Sequence, residues 1–113
     1  MNLLGSLKSL YKKLIRRHDL DGVTVVEYVN DVPEHLGNRL YVVRRAGIAR
    51  RAFLHCPCRC GLRIDLNLST ERYPQWQVRI ADSLATITPS VWVPEDRCGS
   101  HFFVRGNKVE WVS

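Results

Sequence analysis

The chain has 113 residues and a formal net charge of +6, with 45% apolar and 25% charged residues. That length holds one domain and little more, and the mix is that of an ordinary globule, which excludes a disordered or fibrous chain. No apolar run approaches the ~20 residues that span a bilayer, and Lys8, Lys12 and Lys13 interrupt any signal-peptide core, so a cytoplasmic protein is expected. The basic excess favours an acidic partner, whether nucleic acid, an anionic membrane face or a protein, and does not choose among them.

In chain order, the first element is an amphipathic helix over residues 1–19. Leu3, Leu4, Leu7, Leu10, Tyr11, Leu14 and Ile15 recur at spacings of three and four, and Lys8, Lys12, Lys13, Arg16 and Arg17 take the other side. Asp19, Asp21 and Gly22 stop it. Such a stripe packs on the domain or docks on a partner, and a membrane surface is the weakest of its options. Residues 20–113 are the expected zinc-binding β domain.

After Gly22 the period becomes two. Strands are expected at residues 23–29, 40–43, 48–54, 62–68 and 76–80, then one or two within 84–93 interrupted by Pro89, and finally 102–105 and 108–112. Ala46-Gly47 and Gly106-Asn107 read as tight turns. The expected fold is mostly β: a small antiparallel sheet, sandwich or barrel-like domain with the N-terminal helix and one zinc site between two loops.

Two loops carry the chemistry. One reads His55-Cys56-Pro57-Cys58-Arg59-Cys60-Gly61, the other Cys98-Gly99-Ser100-His101. Thiolate and imidazole are the donors zinc prefers, in fours. Cys56, Cys58, Cys60, Cys98 and His101 therefore compete for four places, with Cys98 and His101 closing the site from the second loop. A disulfide framework would need an oxidising compartment, and cysteines two apart rarely meet disulfide geometry; metal-free thiols are the other alternative. His55 reads as a residue beside the site or on the surface, and His18 and His35 as surface histidines.

A catalytic zinc keeps an open position for water and needs a base near it. The chain has no His-Glu-x-x-His motif and no zinc-deaminase signature, so those designs are excluded. Among Asp65, Glu71, Glu95 and Asp96, the pair before Cys98 stands nearest the expected metal, and Glu95 is the candidate base; its alternative role is to balance Arg97. Ser90 follows Pro89 where a strand breaks, a place that exposes a side chain to a cleft, and it is the second catalytic candidate. Ser100 reads as a turn residue. A serine–histidine pair would suggest nucleophilic catalysis, but this reading commits His101 to zinc. Trp76 reads as core, and Trp92 as core or as a groove wall.

The succession Cys56-Pro57-Cys58-x-Cys60-Gly61, a strand over 62–68, Trp76, Thr88-Pro89-Ser90-Val91, Cys98-x-Ser100-His101-Phe102 and a hairpin ending in Trp111 resembles a family of small bacterial Cys/His metal-binding domains. Members are encoded beside bacterial ubiquitin-like proteins and their E1- and E2-like enzymes, in operons linked to phage defence. The resemblance covers roughly residues 23–113 and departs at Arg59, where the family commonly has glycine. It implies a peptidase that matures the ubiquitin-like protein or removes it from targets, with that protein, its conjugates and the E1/E2-like enzymes as partners. The leading expectation is thus a zinc-dependent, deubiquitinase-like peptidase. The alternatives are a non-catalytic zinc-stapled interaction module of the same pathway, and a basic nucleic-acid-binding domain, which lacks the exposed aromatics of single-strand platforms.

Overall fold

A computed structural model describes residues 19–112 of the chain. The expected helix lies outside the described residues, apart from its final position. The described residues form two β sheets. Strands β1 (Gly22–Val26), β2 (Arg39–Arg45), β3 (Ile48–His55) and β4 (Arg63–Asn67) make one sheet in that order. Strands β5 (Gln77–Ala81), β6 (Leu84–Trp92), β7 (His101–Arg105) and β8 (Lys108–Trp111) make the second, again in chain order.

The alternation of apolar and polar residues explains how the sheets meet. Leu40, Val42, Leu54, Ile64 and Leu66 of the first sheet join Ala85, Ile87, Val91, Phe102 and Val104 of the second in one buried cluster. The domain is therefore a sandwich, as the period-two pattern requires. A second, smaller cluster of Val32, Leu36, Val43 and Phe53 lies on the other face of the first sheet, beneath the connector between β1 and β2. Strand β2 can thus carry Val42 and Val43 side by side, because both of its faces are covered.

Three two-residue hairpin turns hold the registers. Ala46-Gly47, Asp82-Ser83 and Gly106-Asn107 all have positive φ at both positions, between 52° and 76°. This is the turn class whose twist matches that of the strands. Asn107 is also buried, and its Oδ1 accepts the Ala85 N–H at 2.7 Å. Its carbonyl takes the Leu20 N–H at 2.8 Å, while Asp19 Oδ1 takes that of Val109 at 2.9 Å. The start of the described chain is thereby tied to the last hairpin.

Two expectations need revision. Strand β1 pairs with β2 in parallel and ends at Val26. Tyr28 and Asp31 close a single 3-10 turn there, with Asp31 N–H donating to the Tyr28 carbonyl at 3.0 Å, and this turn starts the connector that returns the chain to the head of β2. Nor does Pro89 divide β6, which runs unbroken for nine residues. The irregularity is taken up as a bulge instead: Ile87 faces Val104 and Val91 faces Phe102, so four steps on β6 oppose two on β7. Bulges of this kind re-aim side chains and are frequent beside active sites. Ser90 sits in it.

Candidate metal centre and serine–histidine pair

The β3–β4 loop folds because Pro57 occupies the second position of a turn in which the Arg59 N–H donates to the Cys56 carbonyl at 3.0 Å. Arg59 has φ 69° and Gly61 φ 87°. The left-handed conformation at residue 59 gives a physical reason for glycine there, and this chain holds it with arginine. The turn brings the Cys56 and Cys58 sulfurs to 3.4 Å. From the second sheet, the β6–β7 loop coils back on itself, with the Arg97 and Gly99 N–H groups both donating to the Pro94 carbonyl at 3.0 and 3.1 Å. That coil delivers Cys98 Sγ to 3.7 Å from Cys56 Sγ.

The ligand atoms of Cys56, Cys58, Cys60 and Cys98 all lie within 4.8 Å of one another. Four thiolates about 2.3 Å from a central ion would stand roughly 3.8 Å apart in a tetrahedron, so the donor set and its spacing fit a metal of the zinc kind. The cysteines are free of disulfides. Without an ion their protonation is uneven. Burial pushes the Cys56 thiol up to about 12, whereas Cys98 is lowered to about 6, first by the Ser100 hydroxyl and then by its backbone N–H. Cys98 Sγ and Ser100 Oγ lie 3.3 Å apart, so Ser100 serves the thiol cluster beyond its expected turn role.

His101, expected as a ligand, stands outside this group. It begins β7, directly across from Trp92, and the two rings stack with centroids 4.7 Å apart and planes 6° apart. Its Nε2 lies 2.7 Å from Ser90 Oγ. The reason is strand parity: once Cys98 reaches the cluster, the ladder sets His101 beside Trp92, on the face toward which the bulge turns Ser90. The Ser90 carbonyl accepts the Trp76 indole N–H at 3.2 Å, which pins the bulge from below. The two candidate sites are consecutive along one loop, with Cys98 in the thiol cluster and His101 three residues later against the serine.

The remaining expected residues are more distant. Glu95 is exposed, borders a cleft with Trp92 and Pro94, and makes no hydrogen bond or ion pair among the described residues. His55 is engaged elsewhere: its Nε2 accepts the Leu36 N–H at 3.2 Å, and its ring lies 5.7 Å from that of His35. Asp65 is paired with Arg51 across β3 and β4. His18 lies outside the described residues. The sequence marked both Ser90 and His101 and raised a serine–histidine pair, which the assignment of His101 to zinc set aside; the structure brings the two together. The available signal was a count: four cysteines fill a tetrahedron and leave the histidine free.

Comparison with known proteins gives one match. The family described as bacterial ubiquitination-like system serine protease (BubE) matches residues 28–112. No curated protein and no solved structure matches the chain at a significant level. Among the described residues, no helix is long and apolar enough to cross a membrane.

Proposed function

The chain belongs to the bacterial ubiquitination-like system serine protease family, and from that premise we propose that Ser90 is its nucleophile, His101 the general base, and the four cysteines a structural zinc site. The observation that carries this reading is the 2.7 Å contact between Ser90 Oγ and His101 Nε2. A serine hydroxyl becomes a useful nucleophile when a base at this distance takes its proton as it attacks.

The chemical steps involve those two atoms. Ser90 Oγ attacks the carbonyl carbon of the scissile amide while His101 Nε2 receives the hydroxyl proton. The imidazolium then returns that proton to the leaving amine nitrogen, the C–N bond breaks, and an ester to Ser90 remains. Water attacks this ester, again giving its proton to Nε2, and Ser90 leaves as the protonated alcohol. Trp92, stacked on the His101 ring, fixes the plane in which Nε2 points, and Trp76 fixes the backbone of the bulge. The substrate class suited to this pathway is the tail of a ubiquitin-like protein, joined to a target or to its own extension.

The expectation of a zinc-activated water gives way on coordination grounds. Four thiolates occupy all positions of a tetrahedral ion and leave none for water. A bound zinc would supply a cross-link between the loops of the two sheets, held by Cys56, Cys58, Cys60 and Cys98. Glu95 remains available to orient the substrate beyond Trp92. Replacing Ser90 with alanine tests the reading: hydrolysis of a tail peptide should fall by about a thousandfold or more with the fold unchanged. Activity near the starting level in a folded Ser90→Ala protein would refute it.

A further inference from the structure

A groove that meets the serine–histidine pair at Trp92, the residue stacked on His101, lies between the outer edge of β4 and the end of β6 that runs past its pairing with β5 at Thr88. It has a volume of about 310 Å³ and runs along one side of β4, with Trp76 in its lining and Val91, Trp92 and Pro94 opposite. Strand β4 is outermost in its sheet. Its ladder to β3 fixes which backbone groups face outward. Leu68 N–H donates to the Arg50 carbonyl, and the Leu62 carbonyl accepts from Cys56 N–H, so the even-numbered residues point toward β3. The odd-numbered ones point away, as the Trp76 N–H on the Asn67 carbonyl at 2.9 Å attests. Arg63 and Asp65 therefore turn both backbone groups toward the groove.

The other wall obeys the same rule. Val93 N–H donates to the Ser100 carbonyl at 2.7 Å, which makes residues 93 and 100 a hydrogen-bonded pair. Trp92, across from His101, must then direct its N–H and C=O away from β7, into the groove. Ser90 has the same orientation, since its carbonyl already takes the Trp76 indole on that side. The free edge of β4, facing the Trp92 backbone on the stretch of β6 that β5 does not reach, offers donors and acceptors of the kind an extended backbone uses to bind by strand addition.

We propose that this groove binds the extended tail of the ubiquitin-like substrate as an added strand, paired to Arg63 and Asp65 and to Trp92, leading its scissile bond to Ser90. The proposal rests on the serine-peptidase reading for the identity of the substrate. Backbone pairing explains how a site with few polar side chains selects an unfolded tail over a folded surface. Arg97 at the lip, together with the chain's net charge of +6, complements an acidic tail or acidic body behind it. The Arg63 guanidinium is not part of this, since it donates to the Pro33 and Glu34 carbonyls.

The test uses the full chain carrying Ser90→Ala and a synthetic peptide matching the tail of the pathway's ubiquitin-like protein. At saturating peptide, the amide hydrogens of Arg63, Asp65 and Trp92 should exchange at least about tenfold more slowly, while those of Ile64 and Leu66, already bonded to β3, stay as they were. Unchanged exchange at Arg63 and Asp65, or no saturable binding of the peptide, overturns the proposal. With the unsubstituted enzyme, peptides N-methylated at single positions should show KM raised about fivefold to tenfold at the two alternate residues that face Arg63 and Asp65 and at the residue between them that faces Trp92, and little changed elsewhere. A uniform effect along the peptide also overturns it. Cleavage of the unmodified peptide by the Ser90→Ala protein would instead remove Ser90 as nucleophile, and the exchange pattern would still decide the groove.

Discussion

Stripping the metal with a chelator should destabilise the domain by an amount that can be worked from the loop it closes. Cys56 and Cys98 are separated by 42 positions, and their sulfurs lie 3.7 Å apart. Cross-linking a loop of that length restricts the unfolded chain by roughly 4 kcal/mol at room temperature on the chain-entropy estimate. That is a large part of the ~5–15 kcal/mol that holds a typical domain together. For a chain of this size it corresponds to a fall in Tm of roughly 15 °C or more. The assay is thermal unfolding with and without chelator, alongside metal analysis and hydrolysis of a small activated ester at a temperature where the apo protein is still folded. A structural ion predicts the fall in Tm, one metal per chain, and ester hydrolysis that declines only as the β6–β7 loop loosens around His101. An unchanged Tm, or immediate and complete loss of ester hydrolysis in a protein whose fold is intact, would refute the structural assignment.

The other predictions concern separate parts of the molecule. Replacing His101 with glutamine keeps a planar side chain beside Trp92 but removes the base, so the protein should fold normally and lose about a hundredfold or more in kcat; wild-type kcat would exclude His101 as base. In Asn107→Ala, the Ala85 N–H loses its buried acceptor and a non-glycine residue without a polar side chain is left at φ 68°, which should cost about 2–3 kcal/mol in a denaturant titration; a loss below ~0.5 kcal/mol would contradict that accounting. In the metal-free protein, iodoacetamide should modify Cys98 first and Cys56 last, because only the thiolate reacts. With Cys98 lowered to about 6, its rate should be nearly level above pH 7 and fall as the pH drops through 6, while Cys56, pushed up to about 12, stays inert across that range. Mass spectrometry of peptides quenched at intervals reads the order, and added zinc should protect all four.

Much of the sandwich was legible because its sheets are half-buried. Strand β4 is the clearest case, with Ile64 and Leu66 inward and Arg63, Asp65 and Asn67 outward. Hairpin Gly106-Asn107 announced itself through residues that accept positive φ, whereas Asp82-Ser83 did not, since serine in that conformation is unusual. The parallel pairing of β1 was hidden because periodicity reports which face a residue takes and is silent on strand direction. At the site, the cysteines converged as their spacing suggested. What composition could not show was the division of labour within Cys98-Gly99-Ser100-His101. The third residue after a ligand can turn toward the metal or along the next strand, and only the register of β7 against β6 decides it. The bulge at residues 88–90 was equally invisible, because Pro89 signals an irregularity without saying whether the strand stops or bends.

Which oxygen becomes acylated decides the mechanism. Treating the intact, metal-loaded protein with a fluorophosphonate and mapping the adduct by mass spectrometry tests this directly. The serine–histidine reading predicts one adduct per chain on Ser90, abolished in the His101→Gln protein and unaffected by a chelator while the fold persists. Labelling at Ser100 or at no serine, with peptide hydrolysis intact, would contradict it.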